Sequence, residues 1–207
     1  MSPNMARRDM IVLVADRNME AAVRGILGRH EALGIRPVHA DIRRHPEKDC
    51  GCRVAGVEYL SPFVNQYEHA MLMFDLEGCG EEEEPAPNQE AELEEGLRNA
   101  GWDDRAAAIV VEPELDVWVW SDSPHVVREL GWWGREPGLW AWLSAKGFGL
   151  TAQRKPARPK EALEAALWAA RKPRSSAIYQ SLAEKVSLAK CTDRAFLKLK
   201  ATLKRWF

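Results

Sequence analysis

MIVLVADRNMEAAVRGILGRH, residues 10–30, decides the fold class. MIVLVA (10–15) is a short apolar run rich in β-branched residues and reads as a strand, and Asn18 to His30 has the length of a helix. Three more runs of the first kind follow: IRPVHADI (35–42), AMLMFD (70–75) and AAAIVV (106–111). Stretches of helical length, Val54 to Tyr67 and Gln89 to Ala100, lie between them. Strands that alternate with helices predict an α/β fold with a mostly parallel sheet flanked by helices, because parallel neighbours need crossover connections. Ligands of such sheets sit beyond the carboxyl ends of the strands, so the residues after each run are the first place to look for chemistry.

Beyond Val111 the alternation stops. EPELDVWVWSD (112–122) has strand-like alternation at Leu115, Val117 and Val119, but Pro113 among acidic residues favours a helix start. Seven of the nine tryptophans fall between Trp102 and Trp142, which reads as a locally thick core. GLTAQRKPARPK (149–160), with one glycine and two prolines, marks a boundary. It divides an α/β body with a tryptophan-rich helical segment, 1–150, from a basic helical region packed on it, 151–207. In that region Ala162, Leu163, Ala166, Leu167 and Ala170 form one apolar stripe, and Ile178, Leu182 and Val186 form a second. Phe196, Leu199, Leu203 and Trp206 line the last helix, whose basic residues fall mostly on its remaining surface.

The 207 residues carry 29 basic and 31 acidic side chains, yet residues 151–207 hold 14 Lys/Arg against 4 Asp/Glu. An acidic body beside a polyanion-binding end and an acidic body docked on a basic end both produce this split. No apolar run approaches the roughly 20 residues needed to cross a bilayer. The N-terminal apolar segment is too short for a signal peptide. Four cysteines without an export signal suggest no disulfide framework, so a reducing cytoplasm is the expected compartment. The acidic run 81–95 reads as a solvated loop leading into a helix.

Asp16 directly follows the first strand, with Glu20 at i+4 on the next helix; Asp75 closes the third strand and Glu77 lies two residues on. If those strand ends are neighbours, these carboxylates share one pocket, where mutual repulsion is relieved by a hard divalent cation such as Mg²⁺ or Mn²⁺. Acidic residues that merely cap helices and close strands give the same pattern. HPEKDCGC (45–52) reads as a loop at the rim of the site with Gly51 making its turn. His45, Cys50, Cys52 and the distant Cys79 have the residue types of a tetrahedral zinc site, without the usual Cys-x₂-Cys spacing. GxSxG, Walker A, HExxH and GxGxxG motifs are all missing from the sequence, which argues against the enzyme classes they serve.

VADRNMEAAVRGIL, MLMFDLEGCG and PELDVWVWSD together resemble the Toprim-like proteins of bacterial phage-defence islands, relatives of the RloB group. With PARPKEALEAAL, KPRSSAIY and AFLKLKATLKRW included, nearly the whole chain is similar to a group of components of a methylation-associated defence system. The resemblance implies a Toprim-like sheet and a Mg- or Mn-dependent nuclease acting on nucleic-acid phosphodiesters, with other defence proteins as partners. It implies acid/base work for Asp16 and Glu20, and metal binding by Asp16, Glu20, Asp75 and Glu77, with Glu114 as a further ligand. Asp16 stands where the family has a glutamate, and Glu77 replaces the second aspartate of an Asp-x-Asp pair. Both keep the charge, yet a metal displaced by about an ångström costs on the order of 100-fold in rate. A catalytically silent adaptor docking onto defence proteins is therefore the alternative expectation. Arg154, Lys155, Arg158, Lys160, Arg171, Lys172 and Arg174 are the candidate nucleic-acid contacts.

Overall fold

The computed structural model describes residues 7–151 and 155–207. Four parallel strands, β1 (Arg8–Val14), β2 (Ala40–Arg44), β3 (Tyr67–Asp75) and β4 (Ala106–Val111), form one sheet in the order β2-β1-β3-β4. The helices in chain order are α1 (Arg17–Leu27), α2 (His30–Leu33), α3 (Lys48–Leu60), α4 (Ala86–Leu97), α5 (Pro124–Glu129), α6 (Leu139–Ala145), α7 (Pro159–Ala170), α8 (Ser176–Lys185) and α9 (Arg194–Trp206). None of the described helices is long and apolar enough to cross a membrane.

β1, β3 and β4 are apolar over most of their length because both faces of the sheet are covered there. Met10, Val12 and Val14 point into one core with Met71, Met73, Ile109 and Val111, while Ile11, Leu13 and Ala15 join Leu72, Phe74 and Val110 in the other. This is the period-2 rule acting in three adjacent strands. On the first face lie α1 and the C-terminal helices; α3 and α4 cover the second.

In α1, Met19, Ala22, Val23, Ile26 and Leu27 make the buried stripe, and α8 packs against it. At Gly25 the two helices come so close that a Cβ would lie 2.7 Å from Ala183 Cβ and 2.8 Å from the Gln180 carbonyl. Three backbone groups of β4 that face away from β3 are met by side chains. Glu94 accepts the Ala108 N–H at 3.1 Å and Glu90 the Val110 N–H at 2.8 Å, while Arg194 donates to the Val110 carbonyl at 2.7 Å. Buried Glu90 also takes Arg194 at 2.8 Å and Lys198 at 3.1 Å. The acidic run is thus more than a solvated stretch, and two of the basic residues of α9 are turned inward rather than left on its surface.

Four local expectations change. The second strand is 40–44 rather than 35–42, since Pro37 has no N–H to give a ladder and the residues that do pair are ADIRR. The helix expected from Val54 starts at Lys48, so HPEKDCGC supplies its first turns instead of a rim loop, and it ends at Leu60, with 61–63 continuing as a short 3₁₀ turn before β3. Gly51 makes no turn: a Cβ there would meet the His45 ring at 1.9 Å, and the glycine lets the helix close on that ring. Pro113 does not open a helix either; a 3₁₀ turn spans Leu115–Trp118, with Glu114 extended before it. The tryptophans do thicken the core, with Trp102, Trp120 and Trp132 buried, although Trp133 and Trp168 are exposed.

Candidate functional site

β1 and β3 are adjacent and in register, Val14 opposite Met73, which brings Asp16 and Asp75 to the same end of the sheet. Asp16 is the N-cap of α1, where its Oδ1 accepts the Met19 N–H at 2.8 Å. Asp75 Oδ1 accepts the Leu115 N–H at 2.9 Å, tying β3 to the 3₁₀ turn after β4. The Asp75 N–H donates to Asp49 Oδ1 at 2.8 Å, so the first turn of α3 adds a third carboxylate. The repulsion is expressed in the proton affinities. Burial pushes the Asp75 carboxyl well above the carboxylate range, and the charges of Asp49, Asp16 and Asp116 push the same way against the Leu115 N–H. Burial and then Asp16 raise Asp49, although it accepts the Asp75 N–H. Asp16, Asp49 and Asp75 take part in no ion pair among the described residues.

A second, paired cluster adjoins the first. Glu114 is buried with Lys160 Nζ 3.3 Å from its Oε2. Burial, then Asp116 and Glu77, push its carboxyl up to about 7, while Lys160 opposes the shift. Asp116, also buried, accepts Arg174 Nη2 at 2.8 Å and the Tyr179 hydroxyl at 2.8 Å. Burial raises Asp116 against the pull of that guanidinium and hydroxyl. Tyr179 is raised as well, by burial first and then by the Asp116 charge.

Of the expected ligand set, the sheet brings Asp16 and Asp75 together. Glu20 turns to basic partners, Arg24 at 2.9 Å and Arg44 at 3.1 Å. Glu77 is exposed; its N–H bonds to the Pro113 carbonyl, and its charge is felt at Glu114 and Lys160. Glu114 is committed to Lys160. Asp122 is exposed at the far end of its segment. Asp49 was hidden because its segment reads as a loop of possible zinc ligands; only its place in the first turn of α3 aims it at the end of β3. The oxygen donors of Asp16, Asp49 and Asp75 suit a hard cation in chemistry and charge. They are not gathered round one point, since among the described residues no group of three or more His, Cys, Asp and Glu side chains is placed to hold a metal ion. The zinc residue types are dispersed likewise. Cys50 is exposed and Cys52 buried on different sides of α3, and the Cys79 thiol meets Gln89. His45 Nδ1 accepts the Glu47 N–H.

The basic residues divide. Arg154 lies outside the described residues. Lys155 stands 3.8 Å from Asp193 and Lys160 pairs with Glu114. Lys172 donates to the Glu129 carbonyl, and Arg174 binds Asp116 and Glu164. Arg158, lying over the Phe148 ring, and Arg171 are exposed and form no ion pair among the described residues. Compared with known proteins, the chain matches no family model, no curated protein and no solved structure.

Proposed function

We propose that the chain is a Toprim-like component of a bacterial anti-phage system, working in the cytoplasm on nucleic-acid phosphodiesters with Mg²⁺ or Mn²⁺ at the sheet end that Asp16 and Asp75 share. The observation that carries this reading is that adjacent parallel strands bring Asp16 and Asp75 to one carboxyl end of the sheet, with Asp49 bonded to the Asp75 N–H, and that none of the three has an ion-pair partner among the described residues while burial raises the proton affinity of Asp49 and Asp75. A bound divalent ion would supply positive charge to the phosphate and the leaving oxygen. The protein's own part is to fix the carboxylates: the α1 cap holds Asp16, the Leu115 N–H holds Asp75, and the Asp75 N–H holds Asp49. Arg158 and Arg171 supply outward cations for a phosphate backbone.

A second reading, the silent adaptor, has its own observation. Glu20 is spent on two arginines, and Lys160, Lys172 and Arg174 are spent on the acidic body, as expected of a basic region that serves docking. Thermal melting with increasing MgCl₂ or MnCl₂ separates the readings by mass action. The enzyme reading requires a rise in melting temperature that Asp75→Asn and Asp49→Asn each remove, with metal-dependent cleavage of duplex or single strands lost in Asp75→Asn. A melting temperature indifferent to both metals leaves the adaptor. Binding to short duplexes at two salt concentrations tests the nucleic-acid half, since each lost phosphate contact flattens the log-log salt slope by about 0.9.

A further inference from the structure

Behind the acidic end lies a cavity of about 580 Å³ bounded by α1, α8, the 115–125 segment and the 186–192 loop. That volume is within the range of small-molecule sites. Its apolar walls include Trp118, Trp120, Leu182 and Val186. Both indole N–H groups are already used, Trp118 on Asp193 at 2.8 Å and Trp120 on the Pro159 carbonyl at 3.0 Å, leaving the rings to act as hydrocarbon. Between these walls stands the Ser121 hydroxyl, buried and with no hydrogen-bond partner among the described residues. A buried hydroxyl left this way is costly, and a ligand atom removes the cost.

The charged lining is mostly basic: Lys155, Lys185 and Lys190 against Asp122. Lys185 is fixed to Glu129 at 2.8 Å. Lys155 Nζ is 3.8 Å from Asp193 Oδ2, an ion pair beyond hydrogen-bond length. Lys190 is exposed and forms no ion pair among the described residues. Two ammonium groups therefore retain donors beside an apolar chamber that holds one unsatisfied hydroxyl.

We propose that this cavity binds an amphipathic organic anion, with its apolar body between the two indoles and its head group at Lys155 and Lys190. The acidic site takes no part in this inference, although Leu115 and Tyr179 line the cavity and also bond to Asp75 and Asp116.

Calorimetric titration of the full chain with decanoate, and with decanol as its uncharged counterpart, tests the assignment. Decanoate should bind saturably at one equivalent. Lys190→Ala and Lys155→Ala should each weaken decanoate about tenfold and leave decanol unchanged. Thr192→Trp, at an exposed position on the lining, should abolish both. Lys190 is also exposed, so these two variants keep the fold, which their melting curves verify. The proposal is overturned by lack of saturable decanoate binding to the native chain, by undiminished decanoate affinity in both lysine variants, or by full affinity in Thr192→Trp.

Discussion

Glu114→Gln replaces a buried carboxyl with an amide of the same shape whose oxygen still accepts from Lys160. In the folded chain, burial first and Asp116 next move the Glu114 carboxyl from its ordinary 4.5 up to about 7. At about 1.36 kcal/mol per unit this is a linkage of about 3 kcal/mol. Because the acid is stronger in the unfolded chain, unfolding between these pH values releases a proton, and stability falls as pH rises. The contribution is fully present below pH 4.5 and gone once pH has passed 7. The glutamine variant has no such proton to lose. Urea unfolding of both proteins from pH 4 to pH 8, followed by circular dichroism, should therefore give a stability difference that is flat at the acid end. It should then swing by about 3 kcal/mol in favour of the variant between pH 4.5 and 7, and be flat again above. Asp49, Asp75 and Asp116 titrate in both proteins and cancel to first order. A difference that stays within about 0.5 kcal/mol across the range, or that moves the other way, refutes the argument that burial dominates over Lys160.

Three further outcomes are expected. Asp75→Asn keeps an acceptor for the Leu115 N–H while removing a charge that burial, Asp49 and Asp16 oppose, so at pH 8 without metal its melting temperature should rise, by about 2–4 °C per kcal/mol of repulsion relieved; a fall would show the charge to be stabilising. Arg174→Ala strands the buried Asp116 carboxylate and should cost about 3 kcal/mol in urea unfolding, most of it recovered by adding Asp116→Asn; failure of the second substitution to rescue would place the cost elsewhere. Gly25→Ala, whose new Cβ lies 2.7 Å from Ala183 Cβ, should destabilise by about 1–3 kcal/mol through forced separation of α1 and α8, and a midpoint equal to the parent's would show that the pair yields freely.

What the sequence made legible followed local periodicity. β4 occupies 106–111 as read, and β1 and β3 differ from the expected runs only at their ends, because buried parallel strands are written as unbroken apolar runs. β2 was read too early, at 35–42, because its paired residues, ADIRR, include two exposed arginines that carry no apolar signal. Asp16 and Asp75 were found from their position after strands. Asp49 was not, because a glycine between two cysteines looks like a turn until the His45 ring is seen to occupy the space of its side chain. Glu90 illustrates the general limit. Within an acidic run nothing distinguishes it from its neighbours, and its burial depends on Arg194 and Lys198, 104 and 108 residues away.

The bonds that Glu90, Glu94 and Arg194 make to β4 have a consequence for how the molecule keeps to itself. A parallel sheet ending in an apolar strand offers an open ladder to any other extended chain, and here the last strand reads AAAIVV. The two glutamates and the arginine occupy the outward Ala108 and Val110 N–H groups and the Val110 carbonyl, where a fifth strand would bond, while α9 lies against the strand. The last helix therefore acts as a guard against strand addition. Loss of α9 would leave the glutamates without their cations and the Val110 carbonyl open, at the same time as it stripped Phe196, Leu199 and Leu203 from the core.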